Sequence, residues 1–219
     1  MLNVEKNAAL IEQNIPFALL EVWYPNREEW READFQAAVK EELAALKAQY
    51  SEYDRKAVFG ENPYFRFFKK FKKTYPVMMQ FESFLLKDRP FPIQNPVTAV
   101  PFLVELQTQA LSGTHDADHI EGPLKLFLGT EKAPFVGLRG EEVHTYPGDV
   151  CGMDNGGIIL SMIAGADNRT CTNPNSRHVV YPVFGTPGMS ADTLKPSLER
   201  LRNNVSILAP FAEVQSQIV

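Results

Sequence analysis

Between positions 113 and 119 the chain reads Gly113-Thr114-His115-Asp116-Ala117-Asp118-His119, its densest run of chemically versatile side chains. Two histidines four residues apart would share one face of a helix, as two ligands of a zinc ion must. The glutamate that usually completes such a pattern is absent, and neither His144 nor His178 stands at a diagnostic spacing. The expectation is therefore no metal and no cofactor. Asp116 or Asp118 instead caps a short turn ahead of a strand, because a carboxylate readily accepts from amides that open a turn. His115 has a second use, since an imidazole titrates near neutrality and can move a proton.

A second run, Asn62 to Lys73 (NPYFRFFKKFKK), sorts into two helical faces. Tyr64, Phe67, Phe68 and Phe71 follow the spacing of a buried stripe. Arg66, Lys69, Lys70 and Lys73 follow it one step round, giving a continuous basic row. Such a row can track a phosphate backbone without reading its bases. It can equally be a solvated outer face, and both readings stay open. The chain carries 22 Lys and Arg against 27 Asp and Glu, a net charge of −5. That balance argues against a broad RNA-binding surface, so any nucleic-acid contact must be local.

These groups need a scaffold. Ile15 to Tyr24 reads as a buried strand. Asn26 with Glu29 has the form of a capping box opening a helix that runs through AAVKEELAALK. Asn62-Pro63 and Asn95-Pro96 signal two further helix starts, with Pro101 expected to kink the second. From Pro123 onward the pattern becomes short apolar runs separated by glycine, proline and asparagine. Asp154-Asn155-Gly156-Gly157 signals a tight hairpin with positive φ at both central residues, and Pro147-Gly148 marks another turn. Ser190 to Asn204 reads as a closing helix. The expected class is α+β, a helical N-terminal half packed on a mixed, largely antiparallel sheet from the C-terminal half. Residues 1–74 are expected to form an extension packed on the same domain, and residues 75–219 the main body.

The length of 219 residues suits one large domain, and 44% hydrophobic with 22% charged residues is ordinary for a globular protein. The two cysteines, Cys151 and Cys171, are unpaired in pattern, which points to a reducing, cytoplasmic setting. No secretory or membrane-spanning stretch is visible, so neither a membrane nor DNA is an expected partner.

Two segments carry a family resemblance. Asn95 to Gly122 (NPVTAVPFLVELQTQALSGTHDADHIEG) resembles the helix, small-residue loop and Asp-x-Asp-x-hydrophobic-Glu-Gly turn of the tRNA-editing domain in the bacterial phenylalanyl-tRNA synthetase beta subunit. Asp154 to Gly185 resembles that domain's hairpin, polar loop and following strand, with Arg169, Thr170, Pro174, Arg177 and Val179 at similar positions. The resemblance spans roughly Tyr75 to Gly185. It implies a pocket that hydrolyses the ester joining a wrong amino acid to the terminal ribose of tRNA, acting apart from any aminoacylating machinery. The partner it implies is the tRNA acceptor end with its attached amino acid. Two positions depart from the family: Gly113 stands where the synthetase domain has a histidine, and Asn168 where it has a glutamate.

The catalytic candidates that follow are His115, Gly113 and Asn168, with His115 orienting or deprotonating the water. Gly113, Gly156 and Gly157 offer backbone donors. Substrate-binding candidates are Asn95, Thr114, Asp154, Asp167, Arg169 and Thr170, with Asp154 or Asp167 holding the α-ammonium. Arg66, Lys69, Lys70 and Lys73 are the tRNA-binding candidates. A non-catalytic module of the same fold that binds RNA or an amino-acid-like ligand is the alternative, favoured by Gly113. A metal-dependent hydrolase built on His115, Asp118 and His119 is the third reading. Aminoacylation has the least support, because no ATP-binding synthetase motif is recognisable.

Overall fold

The computed structural model describes residues 1–219 and is mixed α+β. The chain opens with β1 (Val4–Lys6), α1 (Ala8–Glu12) and β2 (Phe17–Trp23), the last buried from Phe17 through Val22. Asn26 does not start a helix. Arg27–Glu29 make a single 3-10 turn without a side-chain cap, and α2 runs from Glu32 to Gln49. Trp30 is the reason: its ring is buried and its Nε1 donates to the Pro25 carbonyl at 3.0 Å, holding extended backbone between turn and helix.

After α3 (Arg55–Phe59), α4 (Pro63–Lys70) starts where the Asn-Pro pair predicts. Asn62 Oδ1 accepts from the Tyr64 and Phe65 amides at 2.9 and 3.1 Å, and Tyr64, Phe67 and Phe68 are buried. The helix ends at Lys70 and Lys72 turns the chain with φ 56°, so Lys73 leaves the helical face on which its spacing put it.

α5 (Pro76–Phe81) and a π turn (Glu82–Leu86) lead to α6 (Pro96–Thr108). Pro101 lies inside α6 and cannot donate to the Val97 carbonyl one turn earlier. The fold supplies a replacement donor, the Tyr181 hydroxyl at 3.0 Å, itself hydrogen-bonded to Tyr24 at 2.6 Å. A proline that would break an isolated helix is thus accommodated by a strand residue 84 positions from that carbonyl.

The remaining elements are β3 (His115–Asp116), β4 (Leu124–Leu128), β5 (Pro134–Val136), β6 (Glu142–His144), β7 (Val150–Asp154), β8 (Gly157–Ser161), β9 (Gly165–Ala166), β10 (His178–Phe184), α7 (Lys195–Leu208) and β11 (Glu213–Ile218). One sheet has the order β1-β4-β7-β8-β9, parallel only between β1 and β4. A second, fully antiparallel, has the order β11-β2-β10-β3. β5 and β6 form a separate hairpin. The sheets therefore draw on both ends of the chain: β2 lies inside the second sheet, and β11 covers its edge with a polar sequence, EVQSQI, that local pattern does not mark as a strand. One core of 48 buried residues runs from Leu10 to Ala209 and unites both sheets with the helices.

The β7–β8 hairpin is present with a different turn. Positive φ falls on Gly157 (132°), not on Asn155 and Gly156. Asp154 Oδ1 accepts from the Gly156 and Gly157 amides at 2.8 and 3.1 Å, so a side chain closes the turn.

Candidate functional site

A cavity of about 560 Å³ opens between α6, the segment Ser112–His115 and the stretch Ser161–Ala166. Its apolar wall includes Phe68, Phe102, Leu111 and Phe184; its polar groups include Glu105, Ser112, Thr114 and His115. The 112–116 segment is held as an edge strand on β10. Ser112 bridges Val183, the Gly113 amide donates to Pro182 at 3.0 Å, and His115 and Asp116 pair with Val180 and Val179. Glycine suits position 113, where an added Cβ would stand 3.2 Å from Pro182 Cγ.

His115 is 2% exposed, and burial lowers its pKa to about 4, so the ring is neutral at physiological pH. Its Nδ1 lies 2.7 Å from Thr170 Oγ1, and the Thr170 hydroxyl is hydrogen-bonded in turn to Asp167. With Asp167 ionised, the threonine proton goes to the carboxylate and Nδ1–H donates to Thr170. Nε2 is then an acceptor with no partner within the chain, on a residue that lines the cavity. Burial pushes Asp167 up, opposed by Thr170 and Arg169. The chain Asp167–Thr170–His115 thus fixes the tautomer through two groups behind the wall.

The two histidines do not share a helical face. His115 lies in β3, while His119 ends an exposed 3-10 turn, 3.5 Å from the Asp116 carboxylate. Asp116 caps that turn by accepting from the Asp118 amide at 3.1 Å, as the spacing predicts. Asp118 pairs with His178, which also bonds Glu21 at 2.7 Å and stacks on Trp23. No group of three His, Cys, Asp or Glu side chains stands close enough to hold a metal ion.

The other candidates divide. Gly113, Thr114 and His115 line the cavity; Asn95, Asp154, Asp167, Asn168, Arg169 and Thr170 do not. Asp167 and Thr170 reach it through His115. Asp154 and Arg169 sit at the hairpin, bonded to each other at 2.7 Å. Asp154 also accepts from the amides of Glu121, Gly156 and Gly157. Burial would raise its pKa, but Arg169 and those amides outweigh it and hold the carboxyl below its usual value. Arg169 spends its other nitrogen on the His119 carbonyl at 2.6 Å. The amides of Gly113, Gly156 and Gly157 are all committed to partners within the chain. Free amides among the lining residues include those of Thr114, Cys171 and Thr172. Asn168 is exposed, and Asn95 keeps a buried Oδ1 without a partner at the start of α6.

On α4, Arg66 is paired with Glu61, while Lys69 and Lys70 are exposed and lie outside this cavity. Lys73, beyond the helix end, lines the cavity.

Glu105 escaped the sequence reading. It is 3% exposed, lines the cavity, and accepts from the Ser112 amide and hydroxyl through Oε1, with Oε2 closed off from solvent and the Gln80 side chain against the carboxyl. Burial pushes its pKa up to about 8, so it faces the cavity as a neutral acid at physiological pH. The available signal was a lone charge inside the apolar run PFLVEL of α6. Ser161 was missed too. It lines the wall, donates to buried Asp149, and accepts from the Ala164 amide at 2.8 Å, shaping the loop that closes the cavity.

No protein-family model matches the chain. Over 90 residues, 41% of this chain, it is 30% identical to the phenylalanine–tRNA ligase beta subunit of Mycoplasma genitalium, and it spans only 11% of that protein. A solved N-terminal fragment of the phenylalanyl-tRNA synthetase beta subunit from Pyrococcus horikoshii aligns with 97% of this chain and 50% of its own. The TM-score of 0.46 and identity of 11% make that likeness too low to bear on fold or function. No helix is long and apolar enough to cross a membrane. By sequence, 90 residues of this chain are similar to a section of the phenylalanine–tRNA ligase beta subunit, of which the chain spans 11%.

Proposed function

We propose that the chain hydrolyses the ester between a mischarged amino acid and the terminal ribose of tRNA, acting in trans. The observation that carries this reading is a neutral, buried imidazole whose free Nε2 belongs to a cavity-lining residue and whose Nδ1 is tethered through Thr170 to Asp167. Aminoacyl esters are labile, so a placed water, a modest base and donors for the developing oxyanion suffice. His115 Nε2 takes the proton of a water that adds to the ester carbonyl. The oxyanion accepts from free amides of the wall, with Thr114, Cys171 and Thr172 among the available donors. Collapse expels the ribose hydroxyl, which recovers the proton from the imidazolium. The amino-acid side chain occupies the apolar end between Phe102, Leu111 and Phe184.

Ligation is not proposed, since the section shared with the synthetase subunit is short and the chain has no recognisable ATP-binding motif. Gly113 favours a silent binding module as the second reading, because a residue without a side chain supplies no proton-transfer group at that position. Deacylation of a panel of mischarged tRNAs by the purified chain separates the two. Turnover of one or a few esters above the spontaneous rate is expected, with His115→Ala lowering it about 100-fold or more. A His115→Ala variant at full rate would remove the imidazole from the mechanism. A silent panel would leave the binding module, and loss of activity to a chelator would revive the metal-dependent reading.

A further inference from the structure

We infer that a second cleft at the mouth of the cavity binds the phosphate of a single-stranded RNA end. The inference rests on the ester-hydrolase reading for the identity of the anion; the cleft and its charges stand without it. The cleft, about 540 Å³, is lined by Lys73, Lys132, Glu142, His144 and Tyr146 among others, and it shares Lys73, Ile163 and Ala164 with the cavity. A ligand lodged in both would pass directly over Lys73.

Tyr146 organises this mouth. Lys73 Nζ lies 5.4 Å and Lys132 Nζ 5.9 Å from its ring centroid, and Phe71 braces the ring edge-on at 6.0 Å. A cation held by a ring quadrupole keeps its full charge and most of its donors. The lysines that pair with carboxylates are Lys47 and Lys195, not these two. Glu142, the one acid lining the cleft, is turned to His144 at 3.6 Å. In a chain of net charge −5, two unpaired ammoniums gathered on one ring make a local anion site.

The anion is a phosphate for a chemical reason. An aminoacyl ester has no free carboxylate, so the negative charge nearest the cavity sits on the backbone of the nucleotides behind the ribose. A lysine ammonium neutralises a phosphate whatever base it carries, so this contact adds affinity and not sequence preference. Chain geometry thus moves the RNA-binding candidate from the α4 row to the pair Lys73 and Lys132.

The test is anisotropy of a labelled RNA trinucleotide, CCA, titrated with the full chain at several salt concentrations. Binding is expected to weaken at least tenfold in Lys73→Ala/Lys132→Ala. Its log–log salt slope should fall by roughly 0.7 for each phosphate that the variant no longer neutralises. Lys73→Arg/Lys132→Arg should restore both, and Lys69→Ala/Lys70→Ala should change neither. Absence of binding by the unaltered chain, an indifferent double alanine variant, or weakening confined to the α4 variant would overturn the inference. So would inorganic phosphate competing as well as the trinucleotide, which would make this a free-phosphate site. Binding without deacylation sinks the esterase and leaves the cleft. Deacylation with lysine-independent binding does the reverse.

Discussion

The β7–β8 hairpin and the Ser112–His115 wall both hold residues whose types promise chemistry, and they ended in opposite conditions. At the hairpin every strong group is used. Asp154 accepts from Arg169 and three amides, and Arg169 divides itself between Asp154 and the His119 carbonyl. On the wall, valences are left over: His115 Nε2 and the Thr114 amide have no partner in the chain. A buried polar group fully bonded within the chain holds structure together; one left open beside a cavity is available to a ligand.

The most disruptive way to probe this contrast is Asp154→Ala, which strands Arg169 and three amides at once. A loss of about 3 kcal/mol is expected by urea unfolding, with the deacylation rate of the folded fraction unchanged. The part-exposed guanidinium keeps the figure from being larger. If stability held while activity vanished, the hairpin would be the reactive region and the contrast would be inverted.

Glu105→Gln addresses the wall. The native carboxyl, with pKa about 8, stays protonated after its unfolded counterpart, near 4.5, has ionised. Between those pH values the native state binds more protons, so this residue makes stability fall as pH rises from about 4.5 to 8. The amide variant should lose that decline and gain up to a few kcal/mol at pH 9, read as a higher thermal midpoint, while matching the parent at pH 4. Parallel pH profiles for the two chains would mean that Glu105 is ionised in the fold.

The smallest effect is expected from Gly113→Ala. Its Cβ would sit 3.2 Å from Pro182, close enough to push the edge strand by a few tenths of an ångström. A cost of about 1 kcal/mol follows. A disproportionate drop in kcat would then report on His115, two residues on, and sharpen the assignment of the wall as the reactive surface.

Local rules read much of this molecule correctly. Asn62-Pro63 opened a helix because side-chain cap and fixed φ both act within three residues, and the phenylalanine spacing identified the face that α4 buries. The apolar run of β2, the β7–β8 hairpin and the cap at Asp116 are likewise short-range consequences of residue type. Asn26 failed because a buried Trp30, whose environment is nonlocal, overrode a sound capping pattern. β11 failed because a polar edge strand owes its state to β2 and not to its own side chains.

The site divides along the same line. Residue types together with the family resemblance marked Gly113, Thr114 and His115 as one candidate segment, and Asp167 and Thr170 as polar groups of one loop. That His115 would meet Thr170, 55 residues away, required β3 to pair with β10. Asp154 and Arg169 were chosen by the same reasoning and found one another, because in a folded chain opposite charges brought close satisfy each other before any ligand arrives. Glu105 and the Lys73–Tyr146–Lys132 mouth owe their prospects to what surrounds them. Burial sets the proton affinity of the first and an aromatic ring gathers the charges of the second, and both depend on segments brought together only when the core closes.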